Sequence, residues 1–381
     1  MKHKVVIALN TAWNLYNFRA GLIKALVVSG YEVIAVAPDD QYAARLNELG
    51  CRFISLPMDN QGTHPGRDLI LLWRFYHLLR QERSALYIGY TVKPNIYGSL
   101  AAHILGVPVI NNISGLGAVF IKDSWITGLV RGLYRLALSR SAKVFFQNDD
   151  DRQMFVSGGL VDQALTDRLP GSGIDLIKFV PVPLPSKMPI RFLLIARMLW
   201  DKGVGEFVEA ARLLKRRGIE ADFCLLGFLD VQNPAAISRQ QMNDWVTEGA
   251  VCYLGVSDNV RQEIAQADCV VLPSYREGIP RTLLEAAAMA RPIVTTDSVG
   301  CREVVVDGIN GYLCKPKDAS DLADKMERIV VMSAAQREAM GLRGREKVER
   351  EFDEQIVIDK YISAIEAVLA KKPSEMPYSE K

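Results

Sequence analysis

Apolar residues along the first half of the chain fall into short runs at 5–9, 32–36 and 52–56. Between them lie stretches with helical spacing near 19–29 and 41–49. This alternation predicts βα units: a strand buried on both faces reads as a continuous apolar run, and the crossover to the next parallel strand needs a helix. The rhythm continues with strands at 85–88, 108–111 and 143–146 and helices near 95–105 and 124–139. A mainly parallel, doubly wound α/β sheet is expected.

The stretch Pro181-Val-Pro-Leu-Pro-Ser-Lys-Met-Pro189 breaks this periodicity, because proline lacks a backbone donor and restricts its neighbour. Strands then recur at 191–196, 221–226, 250–253, 269–272 and 293–296, with helices at 203–217, 260–266 and 280–290. The reading is two Rossmann-like domains, 1–180 and 190–350, joined by a linker at 181–189. An amphipathic pattern with Ile356, Tyr361, Ile362 and Ile365 predicts a closing helix at 351–370 that packs back toward the N-terminal domain, before a polar tail at 371–381.

The length of 381 residues agrees with two domains, and 49% hydrophobic with 24% charged residues excludes a disordered chain. No apolar run approaches the roughly 18 residues that cross a bilayer, and the start Met1-Lys-His-Lys is too short for a signal peptide. A cytoplasmic location is therefore expected. Six cysteines without Cys-x-x-Cys spacing suggest buried thiols rather than zinc ligands or disulfides. Residues 1–180 hold 19 lysines and arginines against 14 acids, which leaves the remainder at −3. So small an excess does not argue for nucleic acid, but it suits an anionic membrane surface or a diphosphate.

The candidate chemistry follows strands. Ser274-Tyr-Arg-Glu277-Gly-Ile-Pro280-Arg-Thr-Leu-Leu-Glu285 comes after the run 269–272, with Pro280 suited to the first helical position. The helix start would offer amides and its positive end to a phosphate. Glu277 lies on the loop. Glu285 sits among leucines and alanines, either as a buried partner for ribose hydroxyls or as an exposed acid on an amphipathic helix. In Ala196-Arg197-Met-Leu-Trp-Asp-Lys202-Gly203 two cations follow a strand. They either neutralise a departing nucleoside diphosphate without a metal or are simply solvated.

In order and spacing these motifs resemble the retaining glycosyltransferases grouped as family 4, over roughly residues 1–370. The resemblance implies the GT-B fold, two Rossmann-like domains with an interdomain cleft. It implies that Glu285 binds the donor ribose and Glu277 the transferred sugar, while Arg197 and Lys202 face the diphosphate. The phosphates would meet the amides at 279–282, with Gly278, Ile279, Pro280, Arg281 and Thr282 as donor contacts and Gly227 and Gly255 bordering the base. No metal or other cofactor is implied beyond the nucleotide sugar, with uridine as the base. Tyr90-Thr-Val-Lys-Pro-Asn-Ile-Tyr97, Asn112-Ile-Ser-Gly-Leu-Gly117, Phe146-Gln-Asn-Asp149 and Gly300-Cys-Arg-Glu303 resemble a narrower group. Its members add a hexosamine or hexose to undecaprenyl-diphosphate sugars, or build capsular and O-antigen repeats. Expected partners are thus a UDP-sugar, a lipid-linked saccharide and the inner face of the cytoplasmic membrane. The alternatives are a nucleotide-sugar 2-epimerase of similar fold and a non-catalytic homologue.

One departure is that many family members carry a histidine after an N-domain strand where this chain reads Asn111-Asn-Ile-Ser-Gly-Leu-Gly117. Ser114 and the amides around Gly115 are the substitutes. The segment from Asn10 to Gly21 lacks Gly-x-Gly-x-x-Gly and reads as a polar, aromatic loop for an acceptor saccharide, with Asn14 and Arg19 as contacts and Arg19 facing its diphosphate. Trp13, Tyr16 and Phe18 contact that saccharide or pack beneath the loop. His103 reads as a packed helical histidine. Asp149-Asp-Asp151 superficially fits a metal-binding Asp-x-Asp, but after a strand and before a helix Asn148 and Asp149 read as capping residues. The stretch 121–140, with Arg131, Arg135 and Arg140 among Trp, Tyr and Leu, is either a membrane-surface helix or a core-facing helix with a solvated basic side.

Overall fold

The computed structural model describes residues 2–59, 64–115, 125–185 and 189–370. The expected tail 371–381, positions 116–124 and the linker residues 186–188 lie outside the described residues. The chain divides into one compact unit of residues 1–172 with 355–381, and a second of residues 173–354.

The first unit begins β1 (Lys4–Ala8), α1 (Ala12–Val28), β2 (Glu32–Ala37), α2 (Ala43–Asn47) and β3 (Arg52–Ser55). It continues α3 (Pro65–Glu82), β4 (Leu86–Tyr90), α4 (Ser99–Ile104), β5 (Val109–Ile113), α5 (Trp125–Leu138), β6 (Lys143–Phe146), α6 (Asp149–Ser157) and β7 (Thr166–Arg168). All neighbouring strands are parallel, in the order β3-β2-β1-β4-β5-β6-β7. Side chains alternate across each strand, so the sheet has two apolar faces. Val5 and Ile7 of β1 join Leu15 and Leu22 of α1, whereas Val6 and Ala8 join Leu71 and Phe75 of α3 and Ala101 of α4.

The second unit contains β8 (Ile190–Ile195), α7 (Val204–Arg216), β9 (Ala221–Leu226), α8 (Arg239–Thr247), β10 (Cys252–Tyr253), α9 (Val260–Ala265) and β11 (Cys269–Leu272). Then come α10 (Arg281–Ala288), β12 (Ile293–Thr296), β13 (Gly311–Cys314), α11 (Ala319–Val331) and α12 (Ala334–Glu351). Its strands are also parallel, in the order β10-β9-β8-β11-β12-β13. The last helix, α13 (Glu354–Ala370), inserts Val357, Ile358, Tyr361 and Ile365 into the core of the first unit beside β1.

Three sequence expectations change. Residues 12–21 are not a loop: Thr11 caps α1 by accepting from the Asn14 amide at 3.1 Å, and the helix starts two turns earlier than its apolar pattern suggests. The compact units part at Ser172–Gly173, ahead of the prolines, because the chain after Gly173 is held by the second unit. There Arg291, fully buried, donates to the carbonyls of Val182 at 2.8 Å, Pro183 at 2.9 Å, Ala265 at 3.0 Å and Ile264 at 3.1 Å. Cys252 is exposed on the edge strand β10, while the other five cysteines are buried.

Burial pushes the Arg291 guanidinium down to about 10, and its hydrogen bonds to carbonyls compensate the lost water. Replacing it with methionine removes four hydrogen bonds to carbonyls, one of them, at Ile264, buried and the others partly buried. Arg291→Met should lower the unfolding free energy of the second unit by about 3 kcal/mol or more, read as an earlier transition in urea.

Candidate functional site

In a doubly wound sheet, ligands meet the crevice where successive strands depart in opposite directions, outside the carboxyl ends. In the second unit that point lies between β8 and β11. Two loops leave it, 196–203 after β8 and 273–280 after β11. They are locked together: Gly203 has φ +73, and a Cβ there would lie 2.1 Å from the Pro273 carbonyl oxygen. The Asp201 carbonyl also accepts from the Tyr275 amide at 3.0 Å and from Ser274 Oγ at 3.2 Å. Only glycine permits this approach.

The lock brings two of the sequence candidates into contact. Lys202 Nζ donates to Glu277 Oε1 at 2.5 Å, with both side chains 16% exposed. Ser274 Oγ donates to the same carboxylate oxygen at 2.8 Å, and the Glu277 amide donates to the Val299 carbonyl at 2.9 Å. Arg197 is exposed just after β8 and makes no ion pair among the described residues. The two cations thus differ: Lys202 is held by a carboxylate, and Arg197 projects into solvent.

Pro280 is the cap of α10 rather than its first residue, with φ −72 and ψ 113, and the helix starts at Arg281. A helix leaves its leading amides without intrahelical acceptors and carries partial positive charge there. Glu285 is buried, which excludes an exposed acid on an amphipathic helix. It accepts from Arg281 Nε at 3.2 Å, and Arg281 also donates to the Gly173 carbonyl at 2.9 Å. Burial raises the Glu285 carboxyl above its ordinary value, partly offset by Arg281 and Lys178. Thr282 is half-buried at the start of the same helix. Gly227 follows β9 with φ +141 because a Cβ would lie 1.8 Å from the Ala196 carbonyl oxygen, and its amide donates to the Gly255 carbonyl at 2.8 Å.

In the first unit the corresponding point lies between β1 and β4. Arg19 stands there, but on α1 and only 6% exposed, not on an open loop. Its guanidinium lies 4.4 Å from the centre of the Tyr90 ring, Nη1 donates to the Phe18 carbonyl at 3.0 Å, and Nε has no partner among the described residues. Asn14 is half-buried, with Nδ2 3.3 Å from Asn10 Oδ1. Ser114 Oγ donates to Asn112 Oδ1 at 2.8 Å, and Asn112 Nδ2 donates to the Tyr361 hydroxyl at 2.9 Å. Gly115 follows with φ +131. Sequence reasoning assigned no role to Ser274, Asn112 or Tyr361. The serine, three residues before Glu277, left a faint signal, whereas the link from position 112 to 361 left none.

The aspartate run caps a helix. Asn148 accepts from the Asp151 amide at 2.8 Å, and Asp149 pairs with Arg168 at 2.9 Å. No group of three His, Cys, Asp or Glu among the described residues is placed to hold a metal. Nε2 of the half-buried His103 lies 2.8 Å from the Ala137 carbonyl, the packed histidine that the sequence suggests.

Residues 18–170 match a family model described as glycosyl transferase 4-like domain, and residues 189–331 match one described as glycosyl transferases group 1. A Campylobacter jejuni protein, N,N'-diacetylbacillosaminyl-diphospho-undecaprenol alpha-1,3-N-acetylgalactosaminyltransferase, is 30% identical over 93% of this chain and 96% of its own length. Among solved structures, a sucrose-phosphate synthase from Thermosynechococcus elongatus superposes with TM-score 0.81 at 18% identity, covering 97% of this chain and all of its own. HepE from Anabaena, solved in complex with UDP-glucose, gives TM-score 0.78 at 16% identity over 96% of this chain and 99% of its own. At such identities the structural likeness speaks for the fold.

A buried carboxyl whose folded value is raised costs stability when ionised, so its contribution improves as pH falls through the folded value and is lost as pH rises. Thermal melts from neutral toward pH 5 should show this gain in the native chain. Glu285→Gln should abolish that part of the pH dependence and leave the unliganded protein at least as stable at neutral pH.

Proposed function

The chain belongs to the glycosyltransferases whose 4-like and group 1 domains make up its two halves, and we propose that it moves a hexose or N-acetylhexosamine from a UDP-sugar to a saccharide carried on a polyprenyl diphosphate, with retention of configuration. The name of the Campylobacter relative specifies a diphospho-undecaprenol-linked sugar, and the Anabaena neighbour binds UDP-glucose, which supports both substrate classes. Transfer takes place at the inner face of the cytoplasmic membrane, where such a carrier would be met.

One observation carries the chemical reading: a partly buried Lys202–Glu277 pair and a buried Glu285 flank the start of α10 at the carboxyl edge of the sheet. A nucleoside diphosphate supplies what each group lacks. Its ribose hydroxyls donate to Glu285, its phosphates take the amides at 279–282 and the cations Arg197 and Lys202, and its base lies by Gly227 and Gly255. The transferred sugar lies against Glu277. An acceptor hydroxyl attacks the anomeric carbon as the bond from that carbon to the phosphate oxygen breaks. The proton passes to the departing phosphate, and the cations stabilise its growing charge without a metal ion. Ser114, Gly115 and Asn14 contact the acceptor saccharide, and Arg19 its diphosphate.

Nucleoside diphosphate release from UDP-, GDP- and ADP-sugars, with and without a membrane lipid extract and in EDTA, tests this reading. Extract-dependent release from a UDP-sugar is expected. Release abolished by EDTA would overturn the metal-free mechanism, and a new sugar isomer without release would favour an epimerase. Lys202→Ala should lower kcat about 100-fold with a smaller change in KM, because its contribution grows toward the transition state. Glu285→Ala should mainly weaken UDP-sugar binding in calorimetry.

A further inference from the structure

The crossovers from β3 to β4, β4 to β5 and β5 to β6 advance across the first sheet in one direction. Right-handed connections therefore place α3, α4 and α5 on one face, and α4 packs against both of the others. The outer side of this layer is unusually apolar. Of the seven large hydrophobic residues exposed in the first unit among the described residues, six lie on these three helices. Leu69, Ile70 and Trp73, on one turn of α3, are 67%, 50% and 62% exposed; Ile104, Leu129 and Leu136 are 66%, 46% and 58% exposed.

The charge on the same helices is one-sided. Arg80, Arg131 and Arg135 are exposed, and Arg67, also exposed, is paired with Asp59 at 2.7 Å. The two acids the helices carry, Asp68 and Glu82, are turned inward and occupied, Asp68 by Lys93 at 2.8 Å and Glu82 by Lys4 at 3.2 Å. No described helix is long and apolar enough to cross a bilayer.

We infer that the outer face of α3, α4 and α5, centred on Trp73, seats this chain on an anionic lipid surface. Trp73 and its leucine and isoleucine neighbours enter the headgroup boundary, and the arginines meet lipid phosphates. The inference extends the lipid-carried acceptor reading and moves the centre of contact from α5, the basic stretch visible in the sequence, to α3. A protein partner is the competing occupant. Six apolar side chains spread over three neighbouring helices, with exposed cations and no unpaired acid on those helices, complement a fluid anionic surface.

Flotation of the full chain with phosphatidylcholine vesicles, with and without phosphatidylglycerol, tests it. The native chain should bind the anionic vesicles and release in high salt. Leu69→Ser/Trp73→Ser and Arg131→Glu/Arg135→Glu should each weaken binding about tenfold or more. Brominated acyl chains should quench tryptophan emission in the native chain and lose that quenching in Trp73→Ser. All four positions are outside the catalytic and binding machinery, so transfer to a short-chain, water-dispersed acceptor should stay within about twofold, which also reports folding. Vesicle binding unchanged in both variants, equal binding to neutral vesicles, or no binding by the native chain would overturn the inference. If binding follows the expected pattern while no sugar donor is consumed, the surface stands and the transferase substrates fall.

Discussion

Parallel pairing is the constraint from which the rest follows. Strands that run the same way must be joined by crossovers, so every helix lies on a sheet face and every functional loop leaves a strand end. Both sheets are wholly parallel, and each reverses its winding once, at β1/β4 and at β8/β11. At β8/β11 the two diverging loops are kept together by a glycine that admits a carbonyl oxygen where a side chain would stand. Lys202 meets Glu277 because of that backbone approach. The catalytic reading therefore depends on a main-chain contact as much as on the side chains.

The charges at this edge are held at different costs. Glu285 gives up water for a single guanidinium, and Arg281 is shared between that carboxylate and a carbonyl. Lys202 and Glu277 keep some contact with solvent and satisfy each other. Groups poised in this way lose little when an anionic ligand replaces a protein partner. A buried carboxylate without a full complement of donors is a poor device for stability and a good one for recognising paired hydroxyls.

The fold was legible because apolar runs such as 269–272 and 293–296 are buried on both faces and coincide with β11 and β12. The α3 helix is not legible in the sequence although Leu71, Phe75, Leu78 and Leu79 mark its buried side, since exposed Leu69, Ile70 and Trp73 blur the polar face that periodicity needs. The start of α1 was hidden by its mixture of Trp, Tyr and Asn, which reads as loop until the Thr11 cap is seen. Glu277 and Glu285 were visible by spacing, whereas the hydrogen bond of Asn112 to Tyr361 joins positions whose proximity only the folded chain creates.

The second unit is an insertion within the first. Its two ends are zipped together, with the Ile174 amide donating to the Phe352 carbonyl at 2.8 Å and the Glu354 amide to the Ile174 carbonyl at 3.0 Å. The core of the first unit, by contrast, includes Val357, Ile358, Tyr361 and Ile365 from the last helix. During synthesis the domain that begins first is therefore completed after the inserted one: it waits, with the surface that α13 will cover open to water, until the ribosome has released α13. That interval is when chaperone capture and aggregation compete for it, and a premature stop in the final helix would spare the later-made domain while leaving the earlier one unfinished.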